Sequence, residues 1–311
     1  MNAAVPSTAS KGRACPGCGS FRNSHFADER LDQQKVSEFT YASRKQPEFM
    51  CLKLVCCSDC DLVFAPQPPD NSFLSDAYAD AAYDSVEEAS CAARSYARAL
   101  QAPLRNLVSR SAAVDVGAGS GPLLPWLKRS GFREVIGIEP SRQAIAAASP
   151  EVLPWLREGM FSAVALENTP LALICSFMTL EHLRDPGQFA RTAFDLLEQD
   201  GMVAVVVHNR SGFLNRMLGM KSPIIDVEHL QLFNPQSITV LLKGAGFEDI
   251  QVKAISNAYP LRYWLRLMPL PRTLKRGVAY VLERTGLAKL RVALRVGNII
   301  ATGRKTRKEL K

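Results

Sequence analysis

Asp115, Gly117, Gly119 and Gly121 stand at alternate positions at the end of a short apolar run, Ala113 to Val116. A run of that length and composition reads as a buried parallel strand. Glycine lets the backbone turn tightly and come close to a ligand, because no Cβ stands in the way. Pro122 then suits the first turn of a helix over Leu123 to Arg129. Strand, glycine turn and helix make the opening unit of a doubly wound nucleotide-binding sheet. The spacing is D-x-G-x-G-x-G rather than the dinucleotide G-x-G-x-x-G. A second strand is predicted over Arg133 to Ile138, and Glu139 follows it. An acid at that strand end suits the two hydroxyls of a ribose.

A second set of chemical residues lies nearer the start. Cys15 and Cys18 form one C-x-x-C pair, Cys57 and Cys60 another, with 38 residues between them. Two such pairs can give four thiolates to one tetrahedral zinc. A site closed by four cysteines has no open position for chemistry, so the zinc expected here is structural. Cys56 breaks the spacing and is not expected to be a ligand. The apolar stretches Phe39 to Ala42 and Met50 to Val55 predict a small β-ribbon around the knuckles. The competing reading is cysteines that sit in a core or do redox work.

The glycine turn together with Glu139 resembles the class I S-adenosylmethionine-dependent methyltransferases. The resemblance implies an α/β fold with a Rossmann-like seven-stranded sheet. It turns Gly117, Ala118, Gly119 and Gly121 toward the methionine part of the cofactor, with Asp115 beside them. It places Glu139 and Pro140 at the ribose. The stretch Leu54 to Pro66, followed by Tyr78 and Tyr83, is similar to the zinc-binding domain that precedes the methyltransferase domain in sugar and natural-product methyltransferases. The NDP-sugar C-methyltransferases are the best-known members. That group usually has glycine after the last cysteine, where this chain has Asp61. Its tyrosines ahead of the first long helix lie near cofactor and substrate, which makes Tyr78 and Tyr83 candidates. Where the family often carries an acid near the adenine amino group, this chain has Met160 and Phe161, which suit packing on the ring.

The second half continues the resemblance. A fourth strand over Leu171 to Ser176 runs through Phe177 into an E-H-x-x-D-P phrase: Glu181, His182, Asp185 and Pro186. Ligands of open α/β sheets sit at the carboxyl ends of the strands, which is where Phe177 and His182 fall. His208 and Asn209 follow the fifth strand, Met202 to Val207. A later E-H-x-x-x-F phrase, at Glu228 and His229, lies at the substrate in the sugar methyltransferases. A histidine suits proton removal near neutral pH. His229 is therefore the first candidate base, with Glu228 as its partner or as the base itself, and His182 the second.

The elements that position these residues fall into five stretches. Residues 1–11 are expected to be disordered, 12–68 to form the zinc ribbon, and 69–255 the methyltransferase domain. Residues 256–296 read as a basic helical insertion, and 297–311 as a last strand and basic tail. The third strand is hard to place; Glu151 to Leu153 is the candidate. Ser211 to Pro223 reads as a loop or short helix that could act as a lid.

Of 311 residues, 47% are hydrophobic and 22% charged, ordinary for a globular chain with one large domain and a smaller one. No apolar run is long enough to span a bilayer. The first residues lack an apolar signal core, so the cytoplasm is the expected compartment. The net charge of +8 is uneven: Leu261 to Lys311 hold 14 Lys or Arg against 2 Asp or Glu. The other 260 residues are mildly acidic, which argues against a surface basic all over for nucleic acid. The basic helices meet anionic lipid at the inner face of the membrane, attract an acidic substrate, or pack on the sheet with a solvated face. The expected partner is a small-molecule acceptor, a nucleotide-activated sugar or lipid-linked glycan. The rivals are an RNA methyltransferase and a non-catalytic binding partner in an assembly.

Overall fold

The structure is a computed structural model, and it describes residues 12–32, 34, 40–41, 47–81, 86–166, 169–268 and 270–306. The expectation of disorder over 1–11, the end of the basic tail and Tyr83 fall outside the described residues.

The chain opens with three short strands, β1 (Asn23–Ala27), β2 (Leu54–Cys57) and β3 (Val63–Phe64). The expected strand over Met50 to Val55 shrinks to an isolated bridge at Cys51 and the start of β2. Thr40 and Tyr41, the described part of the other expected strand, sit in a turn. Helix α1 (Asn71–Ala79) begins where the Asp70 side chain accepts the Phe73 N–H, a standard N-cap. The alanine-rich α2 (Val86–Arg105) buries Tyr96, Leu100 and Leu104 on the sheet.

The main sheet starts at β4 (Ala112–Val116), buried along its whole length. There follow α3 (Leu124–Arg129), β5 (Glu134–Glu139), α4 (Arg142–Ala146) and β6 (Leu156–Glu158). Thus the third strand lies C-terminal to its expected place; 153–155 form a single 3-10 turn instead. Next come β7 (Leu171–Phe177), α5 (Pro186–Leu196) and β8 (Leu197–His208). The D-P of the E-H-x-x-D-P phrase starts α5: Asp185 accepts the Gln188 N–H and Pro186 takes the first turn. The lid stretch folds as α6 (Phe213–Leu218) and a 3-10 turn. Strand β9 (Gln231–Leu232) precedes α7 (Pro235–Gly244), which starts on a reciprocal Asn234–Ser237 capping box.

The chain ends as β10 (Glu248–Pro260), α8 (Leu261–Leu267), α9 (Arg272–Arg284) and β11 (Arg291–Arg304). Here the insertion differs from the expected helical 256–296. Both strands run past the main sheet, pairing Asn257–Pro260 with Arg291–Leu294, so the helices fill only the tip of a long hairpin. Sequence periodicity misses this because the outer part of β10 is buried nearly throughout and the outer part of β11 is largely exposed, so neither segment alternates.

The large sheet has the order β10-β11-β8-β7-β4-β5-β6, with β11 antiparallel to both neighbours. This is the seven-stranded Rossmann-like sheet expected from the sequence. The small sheet has the order β1-β2-β3-β9, so the ribbon recruits a strand from far along the chain. Cys15, Cys57 and Cys60 pack in the same apolar cluster as Val114, Ile174 and Val205 of the large sheet. Among the described residues no helix is long and apolar enough to cross a membrane.

Candidate active site and cysteine cluster

The glycine turn leaves β4 at the carboxyl edge of the sheet. Gly117 and Gly121 take φ +76° and +70°, where a side chain is strained. A Cβ on Gly117 would also stand 2.3 Å from Thr179 Oγ1, and one on Gly121 2.5 Å from Val152. The turn is held by backbone: the N–H groups of Gly117 and Ala118 donate to the Ile138 carbonyl. Glu139 closes it from β5. Its carboxylate accepts the Gly119 N–H at 2.7 Å and the Ser141 N–H at 2.8 Å. Asp115 lies buried beneath, and burial, then the charge of Glu139, raises its carboxyl to about 8.

A cavity of about 1180 Å³ opens beside this turn. Gly117, Glu139, Pro140, Met160, Phe161 and Phe177 line it, and so do Tyr78, His182, Glu228 and His229. Asp115, Ala118, Gly119 and Gly121 do not line it; they shape the turn. Met160 is 44% exposed, whereas Phe161 packs on Phe189 with ring centroids 5.1 Å apart.

Three of the four histidines meet in this cavity. The rings of His182 and His208 lie 4.9 and 5.3 Å from that of His229. His229 Nδ1 is 2.9 Å from the Ile224 carbonyl, and His182 Nδ1 is 3.2 Å from the Glu228 carbonyl. A carbonyl can only accept, so the contact selects, for the neutral form of either ring, the tautomer with the proton on Nδ1 and the lone pair on Nε2. His208 pairs with Asn298 across β8 and β11, Nδ1 to Oδ1 at 3.0 Å. Burial, then neighbouring His229, pushes His208 down to about 3, so its ring is neutral at physiological pH.

Glu181 holds these loops together. Its carboxylate accepts the His208 N–H at 2.6 Å, and its carbonyl accepts the N–H of Leu230, next to His229. It is fully buried, which raises its carboxyl to about 7. The Tyr78 ring stands edge-on to His182 at 5.9 Å and to Tyr41 at 5.5 Å. Burial and the charge of Glu228 raise both phenols, so both keep their protons. Neither hydroxyl has a hydrogen-bond partner among the described residues, and the same holds for Asn257 Oδ1.

On the ribbon, the Sγ atoms of Cys15, Cys18, Cys57 and Cys60 all lie within 4.8 Å of one another. Two of the contacts, Cys15 to Cys60 and Cys18 to Cys57, are 3.5 Å. Four sulfurs about 2.3 Å from a tetrahedral zinc stand slightly under 4 Å apart, so the set fits that ion. Cys56 stays outside the group; its Sγ lies 3.3 Å from Asp61 Oδ1. Asp61 takes φ +59°, the conformation that glycine adopts freely. Its side chain accepts from Arg210 and Asn234, contacts a glycine could not make.

A family model described as a methyltransferase domain matches residues 88–252, more than half of the chain. The chain belongs to this methyltransferase family. No curated protein matches it. Among solved structures, it is similar to a Thermotoga maritima S-adenosylmethionine-dependent methyltransferase described as a possible histamine N-methyltransferase. The identity is 17% over 70% of this chain and 92% of the other, with a TM-score of 0.46. An Archaeoglobus fulgidus S-adenosylmethionine-dependent methyltransferase is 14% identical over 76% of this chain and all of its own, TM-score 0.45. Phosphoethanolamine N-methyltransferase 2 of Haemonchus contortus is 14% identical over 68% of this chain and 52% of its own, TM-score 0.44.

Sequence reasoning did not single out several cavity residues of this methyltransferase. Tyr41, Asn257 and Asn298 line it, as do the aromatic residues Tyr259, Tyr263 and Trp264. Tyr259 and Tyr263 stack at 4.1 Å. These side chains come from the ribbon and from the extended hairpin, far from any motif. The one available signal was the aromatic clustering of 259–264.

Proposed function

We propose that this methyltransferase uses S-adenosylmethionine to methylate a small, polyhydroxylated acceptor, a nucleotide-activated sugar or related glycan precursor, on oxygen or carbon. The observation that carries the proposal is the meeting of His182, Glu228 and His229 in the cavity that Gly117 and Glu139 also line. The cavity exceeds the roughly 300–1,000 Å³ of a typical ligand pocket, which suits a cofactor and an acceptor together. Tyr41, Tyr78 and Asn257 add buried polar atoms that a sugar's hydroxyls, which both donate and accept, would satisfy.

S-adenosylmethionine, when bound, supplies a methyl group on a cationic sulfur. The glycine turn would lie along its methionine part. Glu139 would take the ribose hydroxyls, since a carboxylate accepts about four hydrogen bonds. Phe161 and Met160 would flank the adenine. His229 Nε2 would take a proton from an acceptor hydroxyl, or from a carbon next to a carbonyl, with Glu228 as its partner. His182 is the second base. The protonated phenols of Tyr41 and Tyr78 donate to acceptor oxygens, and the apolar cavity wall excludes water. Cys15, Cys18, Cys57 and Cys60 would hold a structural zinc.

The test is release of S-adenosylhomocysteine across a panel of nucleoside-diphosphate deoxysugars. Turnover that falls by about 10² or more in His229→Gln supports the reading. Turnover on bulk RNA but on no sugar nucleotide would contradict it.

A further inference from the structure

Nine of the sixteen exposed large apolar residues among the described residues lie in α6 or between residues 268 and 294. Helix α9 has no buried residue at all, although Leu274, Val278 and Val281 recur at helical spacing. A helix of this kind is normally stabilised by burying its apolar stripe. Leu274, Tyr280, Val281, Leu287 and Leu290 instead stay between 46% and 62% exposed. The segments that carry them touch one another: α9 meets α8 and the turn 287–289, and α6 meets β11.

The same tip is strongly basic. Residues 261–296 carry nine Lys or Arg and one acid, Glu283. Arg262 and Arg266 pair with Glu87 and Glu88, which anchors the tip to α2. Arg272, Arg276, Lys289, Arg291 and Arg295 have no acidic partner among the described ion pairs. Apolar side chains rimmed by cations match an anionic bilayer, where the former enter the acyl boundary and the latter meet lipid phosphates. A second copy of this face would bring like charge against like charge. A nucleic acid would satisfy the cations and leave the apolar residues in water.

We propose that the hairpin tip and α6 form a docking face for an anionic phospholipid bilayer. Its place gives it a use: Met217, Met268 and Leu294 are both exposed and part of the cavity wall. A bilayer against this face meets the cavity mouth, so an acceptor could pass between membrane and site. The inference stands on surface composition and does not depend on the acceptor being a sugar.

The test is co-sedimentation of the full zinc-loaded chain with vesicles of phosphatidylglycerol and phosphatidylcholine, against phosphatidylcholine alone. Binding to the anionic vesicles should be at least about tenfold tighter, and should weaken as salt rises from about 0.1 to about 0.5 M. Leu274→Glu with Val281→Glu should abolish it, and so, separately, should Arg276→Glu with Lys289→Glu. Thermal midpoints should not move, because none of these side chains is buried. Equal binding by wild type and variants, or none to either vesicle, overturns the proposal. So does a dimer that Leu274→Glu dissociates in the absence of lipid, or tighter binding to bulk RNA than to the anionic vesicles.

Discussion

The cavity has two walls of different make. The wall at the glycine turn is local and built largely of backbone: the single stretch 112–139 supplies β4, Gly117, β5, Glu139 and the hydrogen bond from Gly119 to Glu139. The opposite wall is assembled from distant pieces. Tyr41 comes from the ribbon, His182 and His208 from two strand ends, His229 from the loop before β9, and Asn257 and Asn298 from the hairpin. A backbone-built wall depends on φ angles and close approach. An assembled wall depends on every long-range contact that brings its pieces together. Substitutions should therefore separate the two.

The largest effect is expected at the ribbon. Cys57→Ser removes one of four sulfurs from a cluster that shares its core with the large sheet, and β3 of the ribbon pairs with β9 beside His229. Chemical denaturation should show a loss on the order of 5 kcal/mol, and chelation of the wild type should do the same. Loss of metal with unchanged stability would mean that the ribbon does not support the assembled wall.

Gly117→Val acts on the other wall. Its side chain meets Thr179 and its φ is strained. Calorimetry should show cofactor affinity reduced a hundredfold or more, about 3 kcal/mol, with the zinc content unchanged.

Glu181→Gln sharpens the comparison through pH. The carboxyl is raised from the usual glutamate range to about 7 in the fold. Stability from this group is thus fully present below that usual range and lost as pH rises through about 7. The variant titrates nothing. Relative to wild type it should gain on the order of 2 kcal/mol between about pH 5 and pH 8, read by denaturation at both. A difference independent of pH would mean that Glu181 is ionised in the fold.

Asp61→Gly should have the smallest effect. It relieves the left-handed backbone and loses the side-chain bonds to Arg210 and Asn234. The two changes oppose each other, and the net change in a melting experiment should stay within about 1 kcal/mol.

The same contrast explains what was legible in the sequence. The glycine turn, Glu139 and β4 to β5 were readable because spacing alone encodes them. The cysteine pairs and the Glu-His phrases were readable as motifs, but not the way Glu181 ties His208 and Leu230 into one cluster, since that depends on two strands ending side by side. The short β6 escapes a reading from sequence because its three residues, half-buried Leu156 and exposed Arg157 and Glu158, carry no hydrophobic pattern. The outer hairpin reads as helix because Asn257–Pro260 are nearly all buried and Arg291–Leu294 largely exposed, so neither strand segment alternates. Tyr41 and Asn257 are single residues whose role exists only in three dimensions.

The most direct measurement is calorimetric titration of S-adenosylmethionine onto the zinc-loaded wild type, Gly117→Val and His229→Gln. The account predicts one site in the wild type, an affinity within about threefold in His229→Gln, and one weaker by about a hundredfold or more in Gly117→Val. Equal loss in both variants, or no binding to the wild type, would contradict the division of the cavity into a cofactor wall and an acceptor wall.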